Sequence, residues 1–393
     1  MNEVLEAEKV NAFLNSTEEA SKEVDQAVQQ VDVIQMKIDK YTNNLQIIYL
    51  LRCLEAEERD PLQKERAFLR TYEGWSGLEE IFDEDNTDWE EYRKQLQEYL
   101  YPEEYEIIKV HASNSFRTPV KLFDLIYKKL IECGFRGGNV LDPCVGIGGA
   151  FSNVPKEFGN SVFYGTECDP IAYKICMRVT TNIQMSYGEF KDVYYPDNFF
   201  DLVIGQTPLS DELIFDPNYR VKQSRLPEHF LIRSLDLLCP GGILALVIPS
   251  YVMDTRGSKV LEYLNQRAVL LGAVRIPEYT FTDNLGPNYT SDLVFLQKDL
   301  GVRMRKELWT GVSVFAEDFT EAFMQGNFDG ILINSYFQSN PEQVIGKLQR
   351  DEESGEVFCG YHGEDLDSAL DKALSSIQFK YEEPYTDDMN YFI

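Results

Sequence analysis

Apolar residues divide the chain into two kinds of sequence. From Asn2 to about Glu57 there is no proline, and Val31, Ile34, Ile38, Leu45, Ile48 and Leu51 recur at helical steps. Such steps put side chains on one face of an α-helix, so long helices are predicted there. Asp60-Pro61 breaks the pattern. A further helical, acidic stretch with Tyr72, Trp75, Phe82, Trp89 and Tyr92 then runs to Tyr101-Pro102.

After Pro119 short apolar runs alternate with amphipathic segments. A helix is predicted near Val120–Cys133 and strands over Asn139–Asp142, Ser161–Glu167, Phe200–Gly205 and Gly242–Pro249. Ala273–Ile276 and Ser291–Leu296 read as further strands of the same layer. Alternation of this kind predicts an α/β fold, a Rossmann-like doubly wound, mainly parallel sheet, preceded by an N-terminal helical domain. The expected division is 1–110 helical, 111–300 sheet domain and 301–393 a C-terminal extension. Its acidic, aromatic end, from Glu352 through Tyr385 to Ile393, is expected to be a docking or loosely ordered tail.

Charge narrows the partners. Lys plus Arg number 37 against 66 Asp plus Glu, a formal net charge of −29. Phosphate contacts from Lys and Arg supply most non-specific DNA affinity, so DNA is expected only at a local basic patch or through a partner. The acidic front helices are suited to a basic protein partner, and uniform acidity would also fit a DNA mimic. The start is polar, and the longest strongly apolar run, Ile243–Ile248, is far short of a membrane helix. A cytoplasmic protein is expected, with no membrane association and an oligomeric state that the sequence leaves open. The seven cysteines form no CxxC pair and the three histidines are far apart, so neither a metal site nor a Cys-His nucleophile is expected. His229, within a helical pattern, reads as a structural histidine.

The chemistry concentrates after Asn139. A strand ends at Asp142, and Pro143 leads into a turn with Gly146, Gly148 and Gly149, where backbone can approach a ligand closely; a nucleoside-type cofactor is the natural guest. The next strand ends at Glu167, about 20 residues on, where a carboxylate in a Rossmann-like fold accepts ribose hydroxyls. Glu189 and Asp192 compete to present an acid to a purine amine.

Seven segments then form an ordered series: Tyr72-Glu-Gly-Trp-Ser-Gly77, Asn114-Ser-Phe-Arg-Thr-Pro119, Asp142-Pro-Cys-Val-Gly-Ile-Gly148, Gly165-Thr-Glu-Cys-Asp169, Phe200-Asp-Leu-Val-Ile-Gly205, Leu237-Leu-Cys-Pro-Gly-Gly242 and Asp292-Leu-Val-Phe-Leu-Gln297. Over roughly residues 45 to 350 this series resembles class I, S-adenosylmethionine-dependent N6-adenine DNA methyltransferases. The likeness is greatest to the methyltransferase modules of large phage and conjugative-element proteins, in which a helicase often follows. The resemblance implies S-adenosylmethionine as cofactor and matches Phe116, Thr118 and Pro119 to the segment that closes over its methionine end. It also implies that Gln206, Pro208 and Leu209 form the catalytic loop.

That loop departs from the family. Its members carry Asn, Asp or Ser, then usually two prolines, then an aromatic; here the residues are Gln206-Thr-Pro-Leu209. In the family the polar side chain and a backbone carbonyl accept the two N6 hydrogens, and the ring stacks on a flipped adenine. Two functions are therefore expected to compete. One is an adenine methyltransferase working through Gln206; the other is an inactive cofactor-binding or assembly subunit of a phage or mobile-element system.

Overall fold

The computed structural model describes residues 32–114, 117–217, 221–278, 280, 289–300, 309–314, 331–350, 357–363 and 365–382. Phe116, the stretch before residue 32 and the end after residue 382 lie outside the described residues.

The core is a seven-stranded sheet: β1 (Asn139–Asp142), β2 (Val162–Glu167), β3 (Ile183–Tyr187), β4 (Phe200–Gln206), β5 (Leu238–Pro249), β6 (Ala268–Ile276) and β7 (Ser291–Lys298). Their spatial order is 3-2-1-4-5-7-6. Strands β1 to β5 pair parallel, and β7 runs antiparallel to both β5 and β6. The expected Rossmann-like sheet is present, with order reversing between β1 and β4. Such a reversal opens a crevice at the carboxyl ends of the strands.

Central strands bury both faces, which is why β4, β5 and β7 read as continuous apolar runs. One face packs on the helix Val120–Glu132, with Leu122, Ile126 and Leu130 buried; the other packs on the helix Leu226–Leu237, with Leu231, Ile232 and Leu235 buried. The pattern missed β3, whose residues alternate between exposed and half-buried at the sheet edge and so make no apolar run.

The C-terminal end carries two elements that the sequence pattern left unassigned. Residues Leu366–Ser376 form a helix rather than a loose tail: Leu370, Ala373 and Leu374 join the core that holds the Val120–Glu132 helix. Residues 347–350 and 357–360 pair as a hairpin. Apolar spacing at every third or fourth position, inside an acidic segment, was the available signal.

The front helices are α1 (residues 32–56), α2 (Gln63–Leu69), α3 (Glu90–Tyr99) and α4 (Pro102–His111). They grip α6 (Pro170–Val179), the helix after β2; the Val120–Glu132 helix between them is α5. Arg66 and Arg70 donate to the carbonyls of Arg178 and Val179, meeting the negative end of α6. Lys174 of α6 pairs with Glu55 at 2.9 Å and Glu104 at 2.8 Å. Ile171, Ile175 and Val179 share one buried cluster with Trp75, Leu51 and Ile108.

Candidate functional site

The turn after β1 is shaped by glycines and bound by one carboxylate. Gly146 and Gly148 have φ of +55° and +87°, in the left-handed region that favours glycine. A Cβ on Gly148 would meet the Thr180 hydroxyl at 2.3 Å, so side-chain bulk is excluded; a Cβ on Gly146 would meet nothing within 4 Å and would stand in the open cleft. Glu167, at the end of β2, accepts from the Gly146 amide at 2.7 Å with one oxygen and from the Asp169 amide at 2.7 Å with the other. Its own carbonyl accepts from Gly188 at 2.9 Å, so a single residue ties together the loops after β1, β2 and β3.

Asp142 lies beneath that turn, accepting from the Cys144 amide at 3.1 Å. Gly205 in β4 leaves it room, since a Cβ there would meet the Asp142 carboxylate at 2.4 Å. Burial holds the Asp142 carboxyl at a pKa of about 8, with the Glu167 charge adding to the rise. Glu167 is pushed up to about 7, by burial first and then by Asp169, against the pull of its backbone donors. Neither has an ion-pair partner among the described residues.

The front helices supply the opposite wall. Tyr72, Glu73, Trp75, Ile108, His111 and Asn114 face Gly146, Glu167 and Glu189 across a cleft of roughly 990 Å³, open solvent at its mouth included. Asp169 fixes that wall: it caps α6 by accepting from Ile171 at 2.7 Å and Ala172 at 3.2 Å, and it also accepts from the Tyr72 hydroxyl at 3.1 Å. Arg117 donates to the Tyr72 carbonyl at 3.0 Å and closes the ring of contacts. Residues 72–77, expected within a helical stretch, form a non-helical turn instead; their aromatics were visible in the sequence without revealing what they would face.

A smaller cavity adjoins this cleft and shares Asn114, Arg117, Cys144, Gly146, Ile147 and Pro208 with it; Thr118, Asp142 and Gln206 line it as well. The Thr118 hydroxyl donates to the Gln206 amide oxygen. Beyond Gln206, Thr207 is buried and donates its amide to the Val247 carbonyl at 2.9 Å. Leu209 is 5% exposed and lines neither cavity.

The structure thus brings Asp142, Pro143, Gly146, Glu167, Glu189, Thr118, Gln206 and Pro208 around one pair of cavities. Glu189 lies in the cleft wall with Lys191 as its ion-pair partner, whereas Asp192 lines neither cavity. Pro119 precedes α5 and Gly148 supports the turn from behind, both off the cavity lining.

Strand order 3-2-1-4-5-7-6 with an antiparallel seventh strand, and a glycine turn at the switch point, define a Rossmann-like, class I methyltransferase fold. No protein-family model matches the chain. Over 191 residues it is 27% identical to the defense against restriction protein B of Escherichia phage P1, a match covering 47% of this chain but only 8% of that much longer protein. A candidate class I S-adenosylmethionine-dependent methyltransferase from Listeria monocytogenes is similar in structure at 14% identity and a TM-score of 0.42, over 68% of this chain and 90% of that one. The methyltransferase subunit of a type I restriction-modification system from Streptococcus thermophilus is similar at 19% identity and 0.40, over 49% and 48%. Among the described residues no helix is long and apolar enough to cross a membrane.

Proposed function

We propose that this chain binds S-adenosylmethionine in the cleft after β1 and transfers its methyl group to the N6 amine of adenine in DNA. One observation carries the reading: the cleft walled by Glu167 and Glu189 adjoins the cavity of Asp142, Thr118 and Gln206, so a nucleoside grip and a polar amine acceptor share a border. The residues suit that cofactor. In this reading Glu167 accepts ribose hydroxyls and Glu189 a purine amine, and the buried carboxylates favour a cation. When bound, the cofactor would supply a sulfonium methyl group to a nitrogen lone pair, the C–S electron pair leaving on the thioether and the amine's surplus proton passing to solvent. Gln206 then accepts a hydrogen of the target amine and aims its lone pair, work that needs the amide placed within a fraction of an ångström.

A second reading, cofactor binding without transfer, has two specific observations behind it. The Gln206 amide oxygen is already engaged by Thr118, and Leu209 is packed away from the cavity where a stacking ring belongs. The named role of the phage relative supports a place in a phage or mobile-element system, in the cytoplasm of the host, as enzyme or as assembly subunit. There the acidic helices would meet a basic partner protein, and DNA would be reached through a local patch. Calorimetric titration with S-adenosylmethionine tests the shared premise, and absence of binding overturns both readings. Transfer of labelled methyl to adenine-containing DNA separates them: labelled N6-methyladenine supports the enzyme, and binding without label supports the subunit.

A further inference from the structure

After Ser210 the chain leaves the acceptor loop and returns through a two-stranded hairpin, Leu213–Phe215 paired antiparallel with Gln223–Arg225. Strand alternation sorts its side chains. Ile214 and Ser224 stand opposite one another and are 8% and 4% exposed, facing the body of the protein. Leu213 and Phe215 turn outward, 61% and 70% exposed, with Arg225 and Gln223 as their cross-strand partners. Two large apolar side chains on the outside of so short a hairpin contribute nothing to the core.

Arg225 joins this face to the site. Its guanidinium carbon lies 4.5 Å from the centroid of the Tyr251 ring, and the Tyr251 hydroxyl reaches the Ser210 carbonyl at 3.5 Å, spanning the acceptor loop. The next residue, Leu226, lines the cofactor cleft beside Pro208 and Phe230. A planar cation on an aromatic ring therefore borders the loop whose own fourth residue, Leu209, is buried and aliphatic.

We propose that the Arg225–Tyr251 stack and the outer hairpin face form a platform for an unpaired nucleobase beside the acceptor loop, supplying the stacking that Leu209 cannot. This rests on the nucleobase reading of the site. A guanidinium is planar and weakly hydrated, so it stacks on a ring with one face and on a base with the other. Charge does not recommend the surface to phosphate. Among the described residues of this segment Lys222 and Arg225 are offset by Asp211, Glu212 and Asp216, and Arg225 itself approaches Asp211 at 3.4 Å. Stacking rather than phosphate attraction carries the affinity, which predicts a shallow salt dependence, equivalent to about one or two phosphates.

The test uses the full chain and a short single strand containing one 2-aminopurine, read by quenching of its fluorescence, with an abasic strand as control. Arg225→Lys keeps the charge and removes the plane, and is expected to weaken binding by about five- to a hundredfold. Tyr251→Phe is expected to bind as the wild type does, and Tyr251→Ala to weaken it as Arg225→Lys does. S-adenosylmethionine titration of each variant reports whether the fold and the cofactor half survive. Unchanged binding by Arg225→Lys, equal affinity for the abasic strand, or a steep salt slope overturns the platform. If wild type binds S-adenosylmethionine but no strand, the platform alone falls; if it binds no S-adenosylmethionine, the reading of the site falls instead.

Discussion

Above β1, β2 and β3 the cleft is shaped by backbone: a left-handed glycine turn, amides donated to Glu167, and a helix start capped by Asp169. Above β4 and β5 it is shaped by side chains: Gln206 held by Thr118, Leu209 tucked away, Tyr251 stacked by Arg225. In the first half the glycine turn rests on left-handed φ values, and the amides around it need the Glu167 and Asp169 carboxylates as acceptors. Side-chain features can be exchanged one at a time. The difference teaches that the two halves of the cleft are held by separate contacts and should respond separately to mutation.

The strongest way to break this comparison is Glu167→Ala. It removes the acceptor of two buried amides, each costing about 1–3 kcal/mol when unpaired, together with the proposed ribose contact. S-adenosylmethionine affinity should fall by at least about a hundredfold in calorimetry while strand binding persists; a smaller loss takes Glu167 out of the cofactor contact, and a parallel loss of strand binding means the halves are not separate.

Gln206→Asn addresses the other half. It withdraws the amide from Thr118 and gives the shorter side chain of the methyltransferases the sequence resembles, so under the proposed function methyl transfer should rise by roughly ten- to a hundredfold with cofactor affinity unchanged. An equal rate in both proteins shows that side-chain length is not what limits the loop. Adding Leu209→Phe tests stacking separately, at a cost of about 1–3 kcal/mol in stability from overpacking a buried site.

Acidity sharpens the contrast next. Asp142 and Glu167 hold protons up to about pH 8 and 7 in the folded chain, whereas the unfolded chain releases them in the ordinary carboxylate range. The native state then binds more protons between about pH 4 and 8, so ligand-free stability should fall as pH rises through that window. A cationic cofactor favours the ionised carboxylates, and its affinity should rise by roughly tenfold from pH 6 to 8. Asp142→Asn should flatten both slopes, in thermal melts and in titrations, and slopes identical to wild type would disprove the assignment.

The smallest effect is expected from Tyr72→Phe, which loses only the hydroxyl donated to Asp169. Its acceptor is a carboxylate, and a hydrogen bond of this kind contributes about 1.5 kcal/mol or somewhat more, equivalent to a few degrees of melting temperature. Strand binding should be untouched, since Tyr72 lines the cleft on the side away from the hairpin's outer face.

Much of this molecule was legible because its determinants are local. The alternation of strands and helices, the glycine turn after Asp142 and the carboxylate at Glu167 each follow from a short stretch of residues whose spacing has one structural meaning. The missed pieces lacked that property. Strand β3 lies at an edge and is only half-buried, so its residues carry no apolar run. The Leu366–Ser376 helix was disguised by the acidic composition around it, although Leu370 and Leu374 are core residues.

Amino-acid order alone determined which residues end the strands of a doubly wound sheet, because parallel strands must deliver their carboxyl ends to one edge and the acids at 142 and 167 are therefore neighbours. Only folding decided what faces them. Tyr72 reaches Asp169 across 97 positions of chain and Thr118 meets Gln206 across 88, contacts fixed by how the front helices clasp α6 and by where α5 begins. No local rule encodes such distances, since they depend on the packing of whole elements against one another.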